Sequence, residues 1–158
     1  MSRILQILAT DVREKTLLLL DAAHPAELTF QPPGTSNHLL WHAGHALWLQ
    51  DVLCIQRVTG ASALPPEYTA MFGMGSRPAG RREPWPRRDE LHQHLEQQLR
   101  RLLELLGRLD EAELDAPSPY AQIGDARTLG ESIVHGLHDE ANHQGEMYLL
   151  LKLQRLAR

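Results

Sequence analysis

A chain of 158 residues is long enough for one domain with a core of its own and too short for two ordinary ones. Its formal net charge is -4, and Lys and Arg gather only in the short pieces RRLL and RREPWPRR, which argues against a nucleic-acid partner. The single cysteine, Cys54, cannot form an internal disulfide; its setting DVLCIQRV reads as that of a buried structural thiol in a reducing compartment. Charges at Asp11, Arg13, Glu14 and Lys15 arrive too early for a signal peptide, and no stretch approaches the roughly 18 to 20 apolar residues that span a bilayer. These features predict one soluble, cytoplasmic domain over 1–158 with no membrane partner.

Four segments carry helical periodicity, and Gly and Pro fall largely between them. The first covers 3–23, with Ile4, Ile7, Leu8, Val12 and later leucines on one stripe, and closes before His24 and Pro25. The second covers 35–58, with Thr35 or Ser36 as N-cap and Gly60 as the stop. Residues 60–86 hold Pro65, Pro66, Pro78, Pro84 and Pro86 with several glycines, so regular structure is not expected over most of that length and the segment reads as a long crossover or lid. A third helix is predicted over 87–109 from Leu91, Leu95, Leu99, Leu102 and Leu106. After a loop through Pro117, Pro119 and Gly124, Thr128 and Glu131 stand as the two members of a capping box, and the last helix runs from there to basic residues near the end of the chain. The expected fold is all-α, an up-down four-helix bundle with a long crossover between helices two and three.

Six of the nine histidines fall in two windows, His38, His42 and His45 in NHLLWHAGH and His135, His138 and His143 in HGLHDEANH. At about 100° per residue the first three share a narrow arc of helix two. On the last helix Asp139 and His143 are one turn apart and can reach one ion together, and Glu146 lies one turn further on the same side. His138 stands roughly 140° from His143 on a regular helix and can share its ion only across a π-bulge. His135 precedes Asp139 by one turn and is a candidate for an outer contact. A single histidine on an amphipathic helix is more often hydrogen-bonded at a core boundary than ligated. The clustering, however, points to a metal site between two facing helices. His24, His92 and His94 have no such company and read as surface residues.

The runs NHLLWHAGHALWLQDVL and HGLHDEANHQGEMYLLLKL resemble the two signature helices of the DinB-like, or YfiT-like, superfamily of metal-binding four-helix bundles. The resemblance extends over most of the chain, including the Pro-rich crossover and the WPRRDEL start of helix three. It implies that His45, the second histidine of the WHxxH pattern, is a metal ligand. The other two ligands usually come from an HxxxH pair on the last helix, and His143, followed by Gly145 and Glu146, fits the second of these. The first is replaced by Asp139. Either its carboxylate becomes the third ligand, giving a two-imidazole, one-carboxylate set that suits ferrous iron among other divalent metals, or it orients an imidazole while His42 or His138 completes the set. The undistorted i, i+4 spacing favours the first, so the expected ligands are His45, Asp139 and His143.

Three protein ligands leave positions for water or substrate, the pattern of a catalytic site. Members of the superfamily include thiol-dependent S-transferases, a maleylpyruvate isomerase and the bundle domain of ergothioneine-forming iron enzymes. The resemblance therefore implies a divalent metal ion (zinc, nickel, iron or manganese) and a transferase that uses a low-molecular-weight thiol on a small electrophilic substrate. His42 is then a candidate base or orienting group, and Glu146 a candidate orienter for His143. Two other readings stay open: a metal-dependent hydrolase, and a non-enzymatic ligand-binding bundle that pairs as a homodimer through a leucine-rich face such as LLELLGRL.

Overall fold

The inward stripe of Leu5, Ala9, Val12, Leu19 and Leu20 winds into α1 (Ser2–Ala22). The computed structural model describes residues 2–78, 84–120 and 127–156. The next long helix, α2 (Leu39–Gln50), starts later than Thr35 or Ser36 places it. Thr35 instead closes a turn, its N–H and hydroxyl both donating to the Pro32 carbonyl. The cap is His38, whose Nδ1 accepts the Trp41 N–H at 3.1 Å, the bond that a Ser or Asn usually supplies. His38 therefore stands at the helix entrance and leaves the arc shared by His42 and His45. Beyond Gln50 the helix continues through a π turn (Asp51–Ile55) and a final α turn (Gln56–Thr59), and Gly60 ends it at a φ of 77°. The Asp51 carboxylate accepts from Gln56 Nε2, Ser62 Oγ and the Ala63 N–H, which ties the start of the crossover to α2.

Within the crossover, where regular structure is not expected over most of the length, one short helix forms, α3 (Glu67–Phe72). Residues 79–83 of the crossover, and Gly124 of the later loop, lie outside the described residues. The leucine repeat then builds α4 (Arg88–Leu106), which stops short of Leu109. A short α5 (Glu111–Asp115) follows, opened by a capping box of Asp110 and Glu113 that was not anticipated from the sequence. Thr128 and Glu131 form the expected reciprocal box, with the Thr128 N–H on Glu131 Oε2 at 2.8 Å and the Glu131 N–H on Thr128 Oγ1 at 3.1 Å, and α6 (Leu129–Leu156) runs on from it. No strand forms among the described residues, only an isolated bridge between Pro117 and Thr128. No helix among them is long and apolar enough to cross a membrane.

Long-range contacts give the helix directions. Gln6 donates to the Leu103 carbonyl while Asp21 meets His92, so α1 and α4 are antiparallel. His42 meets His143 while Ser132 donates to the Leu53 carbonyl, so α2 and α6 are antiparallel too. Leu19 and Leu20 share one apolar cluster with Met147 and Leu150, and Leu5 and Ala9 share another with Leu129 and Ile133, which makes α1 and α6 parallel. The order is up, down, down, up. Strict alternation is absent because the crossover carries the chain back along the bundle before α4 begins, so α4 runs with α2.

The core is consequently two apolar layers, one around Leu39, Leu47, Leu91, Leu95 and Leu150 and one around Ile55, Leu102, Leu106, Ile133 and Leu137. Cys54 is buried in the second, and desolvation pushes its thiol far above its ordinary range, consistent with a structural role. Between the layers lies a buried polar band. Arg13 and Glu140, both fully buried, form a bidentate pair at 2.9 and 3.0 Å. Thr16 and Gln50 donate to the same carboxylate, and Arg13 also donates to the Leu95 carbonyl and to Gln98 Oε1, each at 2.9 Å. All four long helices meet there. Replacing Arg13 with Ala strands a buried carboxylate, and the expected loss is about 3–5 kcal/mol of unfolding free energy, read from urea denaturation of the variant beside the parent chain.

Candidate metal centre

Because Asp139 and His143 are one turn apart on α6, both point across the bundle at α2, where His45 faces them. Asp139 Oδ2 lies 3.3 Å from His143 Nε2 and 3.9 Å from His45 Nε2. The three candidate ligand atoms sit within 4.8 Å of one another, and this is the one such cluster among the described residues. His45 is 5% exposed and closes the back of the cluster; His143 at 18% and Asp139 at 27% open it to solvent. The largest described cavity, about 570 Å³, is a groove between α1 and α4 lined by Ile7 and Leu103 and does not include the cluster.

The environment sets which nitrogen of each ring is available. His45 Nδ1 lies 2.6 Å from the Phe72 carbonyl, which can only accept, so the proton is on Nδ1 and the Nε2 lone pair faces Asp139. The His45 ring also stacks on Trp41, with centroids 4.7 Å apart and planes at 17°. His143 Nδ1 lies 2.8 Å from His42 Nδ1. With His143 donating there, its Nε2 lone pair is free toward Asp139 and His42 keeps its own proton on Nε2. Burial pushes the His42 imidazole down to about 3, helped by the charges His143, His45 and His38 would carry, and pushes His38 down to about 4 against a backbone hydrogen bond. Burial also lowers His45, with the Phe72 carbonyl opposing. A proton on His143 Nε2 would instead hydrogen-bond the Asp139 carboxyl and hold it below the usual carboxylate range, against its own desolvation.

Asp139 Oδ2 is buried with no hydrogen-bond partner: His45 Nε2 is too far away at 3.9 Å, and His143 Nε2 at 3.3 Å presents a lone pair when its proton is on Nδ1. An anionic oxygen left so is costly, and a cation between it and two nitrogen lone pairs removes the cost. A donor set of two imidazoles and one carboxylate, without thiolate, fits zinc, iron, manganese or nickel.

The crossover supports this cluster. The indole N–H of Trp41 donates to Ser76 Oγ at 3.0 Å and that of Trp48 to Thr69 Oγ1 at 3.2 Å, which fastens α3 and the turn after it onto α2. Gly44 makes the contact possible: a Cβ there would stand 2.2 Å from the Phe72 ring.

The remaining sequence candidates separate. His38 is the α2 cap, and its buried Nε2 has no hydrogen-bond partner while the ring stands edge-on to Trp85. His135 is exposed, one turn before Asp139 and within electrostatic reach of it. His138 is exposed on another side of α6, which is α-helical throughout; the chain's π turn lies in α2 instead. Glu146 is exposed, and the two ring nitrogens of His143 face His42 and Asp139. His24 is exposed, whereas His92 and His94 are half-buried against Asp21 and Tyr68. The sequence reading missed Arg13, Gln50, Gln98 and Glu140. A charged residue on the inward side of α1, between Ala9 and Thr16, was the available signal for Arg13. The Phe72 carbonyl had no sequence signal.

Up-down-down-up helices with two imidazoles and a carboxylate meeting across one helix pair define a helical bundle built around a candidate metal centre. The family model of the DinB superfamily matches residues 8–147, and the chain belongs to that superfamily. No curated protein matches the chain.

Gly44→Ala must displace the Phe72 ring and with it the carbonyl that orients His45; the expected result is weaker divalent-metal binding by titration calorimetry at an unchanged helical content. The histidines give a pH dependence. His38 and His42 take up protons at about pH 6.5 once unfolded but only near 4 and 3 when folded, so their contribution is complete above 6.5 and is lost as pH falls through that window, each by about 1.4 kcal/mol per unit. Urea midpoints of metal-free protein should therefore drop between pH 7.5 and 5, and a flat profile would contradict neutral buried imidazoles.

Proposed function

We propose that His45, Asp139 and His143 bind one divalent ion and that the protein is a metal-dependent transferase joining a low-molecular-weight thiol to a small electrophile. The observation that carries the metal reading is the buried Asp139 oxygen, without a hydrogen bond, between two Nε2 atoms. Membership of the DinB superfamily supports it, and the reaction class rests on analogy with the superfamily's thiol-using members.

When bound, the ion supplies Lewis acidity that lowers the pKa of a thiol or water beside it. The chain's residues do the rest. Phe72 holds His45 in the tautomer that leaves Nε2 unprotonated, and His42, by accepting from His143 Nδ1, can hold His143 likewise. Trp41 and the buried side of His45 exclude water from the back of the centre, so substrate approaches from the side of Asp139 and His143. His42, held neutral well below pH 7 by burial, can accept a hydrogen bond from His143 without placing a second cation beside the site.

Protein purified without chelator or histidine tag should carry about one divalent metal per chain by elemental analysis, and His45→Ala or His143→Ala should abolish it. With cobalt in place, a small thiol should add a charge-transfer band. Folded, metal-free protein that takes up no cobalt would sink the metal reading; cobalt binding without a thiol band would sink the transferase reading alone.

A further inference from the structure

The two carboxylates at 139 and 140 face different ways. Asp139 turns to the metal cluster, whereas Glu140 is fully buried and turns inward to Arg13. Glu140 also accepts a hydrogen bond from Gln50, five residues beyond His45 on α2 and itself 2% exposed. Gln50 is the last residue before the π turn. The Gln50–Glu140 bond thus joins the two ligand-bearing helices directly, one layer away from the ligands.

The geometry points to Gln50 and Glu140 as positioning residues of the metal centre: their hydrogen bond sets the rotation and spacing of α6 against α2, and so brings Asp139 and His143 to His45. This rests on the metal reading above. Rotation about the helix axis by one residue, about 100°, exchanges the faces of Asp139 and Glu140. Glu140 cannot make that exchange while Arg13 and Thr16 from α1 and Gln50 from α2 all hold its two oxygens. Other contacts between α2 and α6, such as Ser132 on the Leu53 carbonyl, lie further along the pair toward the start of α6. The nearer contact, His42 on His143, involves a ligand itself and cannot hold it independently.

Gln98 provides a matched control. It is buried in the same polar band and donates to the Leu47 carbonyl while accepting from Arg13, but it has no bond to α6. Gln50→Met and Gln98→Met each remove one buried amide at similar volume, and only the first cuts the link between the ligand helices. Cobalt titrations, read by visible absorption and run with melting curves, compare the two. Gln50→Met should weaken cobalt binding roughly 10- to 100-fold and change the ligand-field spectrum, whereas Gln98→Met should bind as the parent chain does. Equal binding by Gln50→Met and parent overturns the assignment, as does an equal loss in both variants, which would mark a general loosening of the core. Should Gln50→Met not fold, Gln50→Leu carries the same comparison, because it too removes the amide and leaves the Arg13–Glu140 pair in place. If the parent chain itself binds no cobalt, the metal reading fails rather than the positioning role.

Discussion

A carboxylate with no exposure to water, as Glu140 has, is tolerated only if its oxygens are saturated by donors, and here four donor groups from three side chains on two helices converge on it. Arg13 extends the set to α4 through Leu95 and Gln98. Apolar layers slide past one another at modest cost because dispersion and hydrophobic burial are not directional. A buried ion pair with fixed hydrogen-bond geometry does not slide. Such a pair adds little net stability compared with well-packed apolar residues, so its consequence here is register. It fixes where each of four helices sits along and around the bundle, and the two apolar layers pack above and below that setting.

The metal cluster inherits that register and adds its own constraints from the crossover. His45 is held on three sides, by the Phe72 carbonyl, the Trp41 ring and α2 itself. His143 is held by His42. Asp139 alone has no hydrogen bond on its buried oxygen. Two of the candidate ligands are therefore held by neighbours, and the third carries the oxygen an ion would satisfy. The crossover can do this because Gly44 lets the Phe72 ring lie directly on α2, which places the carbonyl end of α3 against the His45 ring.

The parts of this arrangement written in local patterns were readable from the sequence. The four long helices follow from apolar spacing, the α6 start from Thr128 and Glu131, and the α2 stop from Gly60. Helical spacing alone put Asp139 and His143 on one face. Features that depend on a partner distant in the chain were not readable. Whether His38 or Thr35 caps α2 depends on the turn at Pro32, and the direction of α4 depends on how far the crossover travels. The π turn at Asp51 has no composition of its own and is held by Ser62 and Ala63 from the crossover. Polar residues inside an apolar stripe, Arg13 above all, carried a signal that periodicity scores as noise.

Neighbouring Asp139 and Glu140 show how one helix serves both needs. The two side chains differ by one methylene and about 100° around the axis. The longer reaches the centre of the bundle, where Arg13 neutralises it, and the shorter stays at the α2 boundary with its oxygen near two imidazoles. Exchanging them would shorten the carboxylate that meets Arg13 by one methylene and lengthen the one beside His45, so the order Asp then Glu suits both the buried pair and the candidate centre.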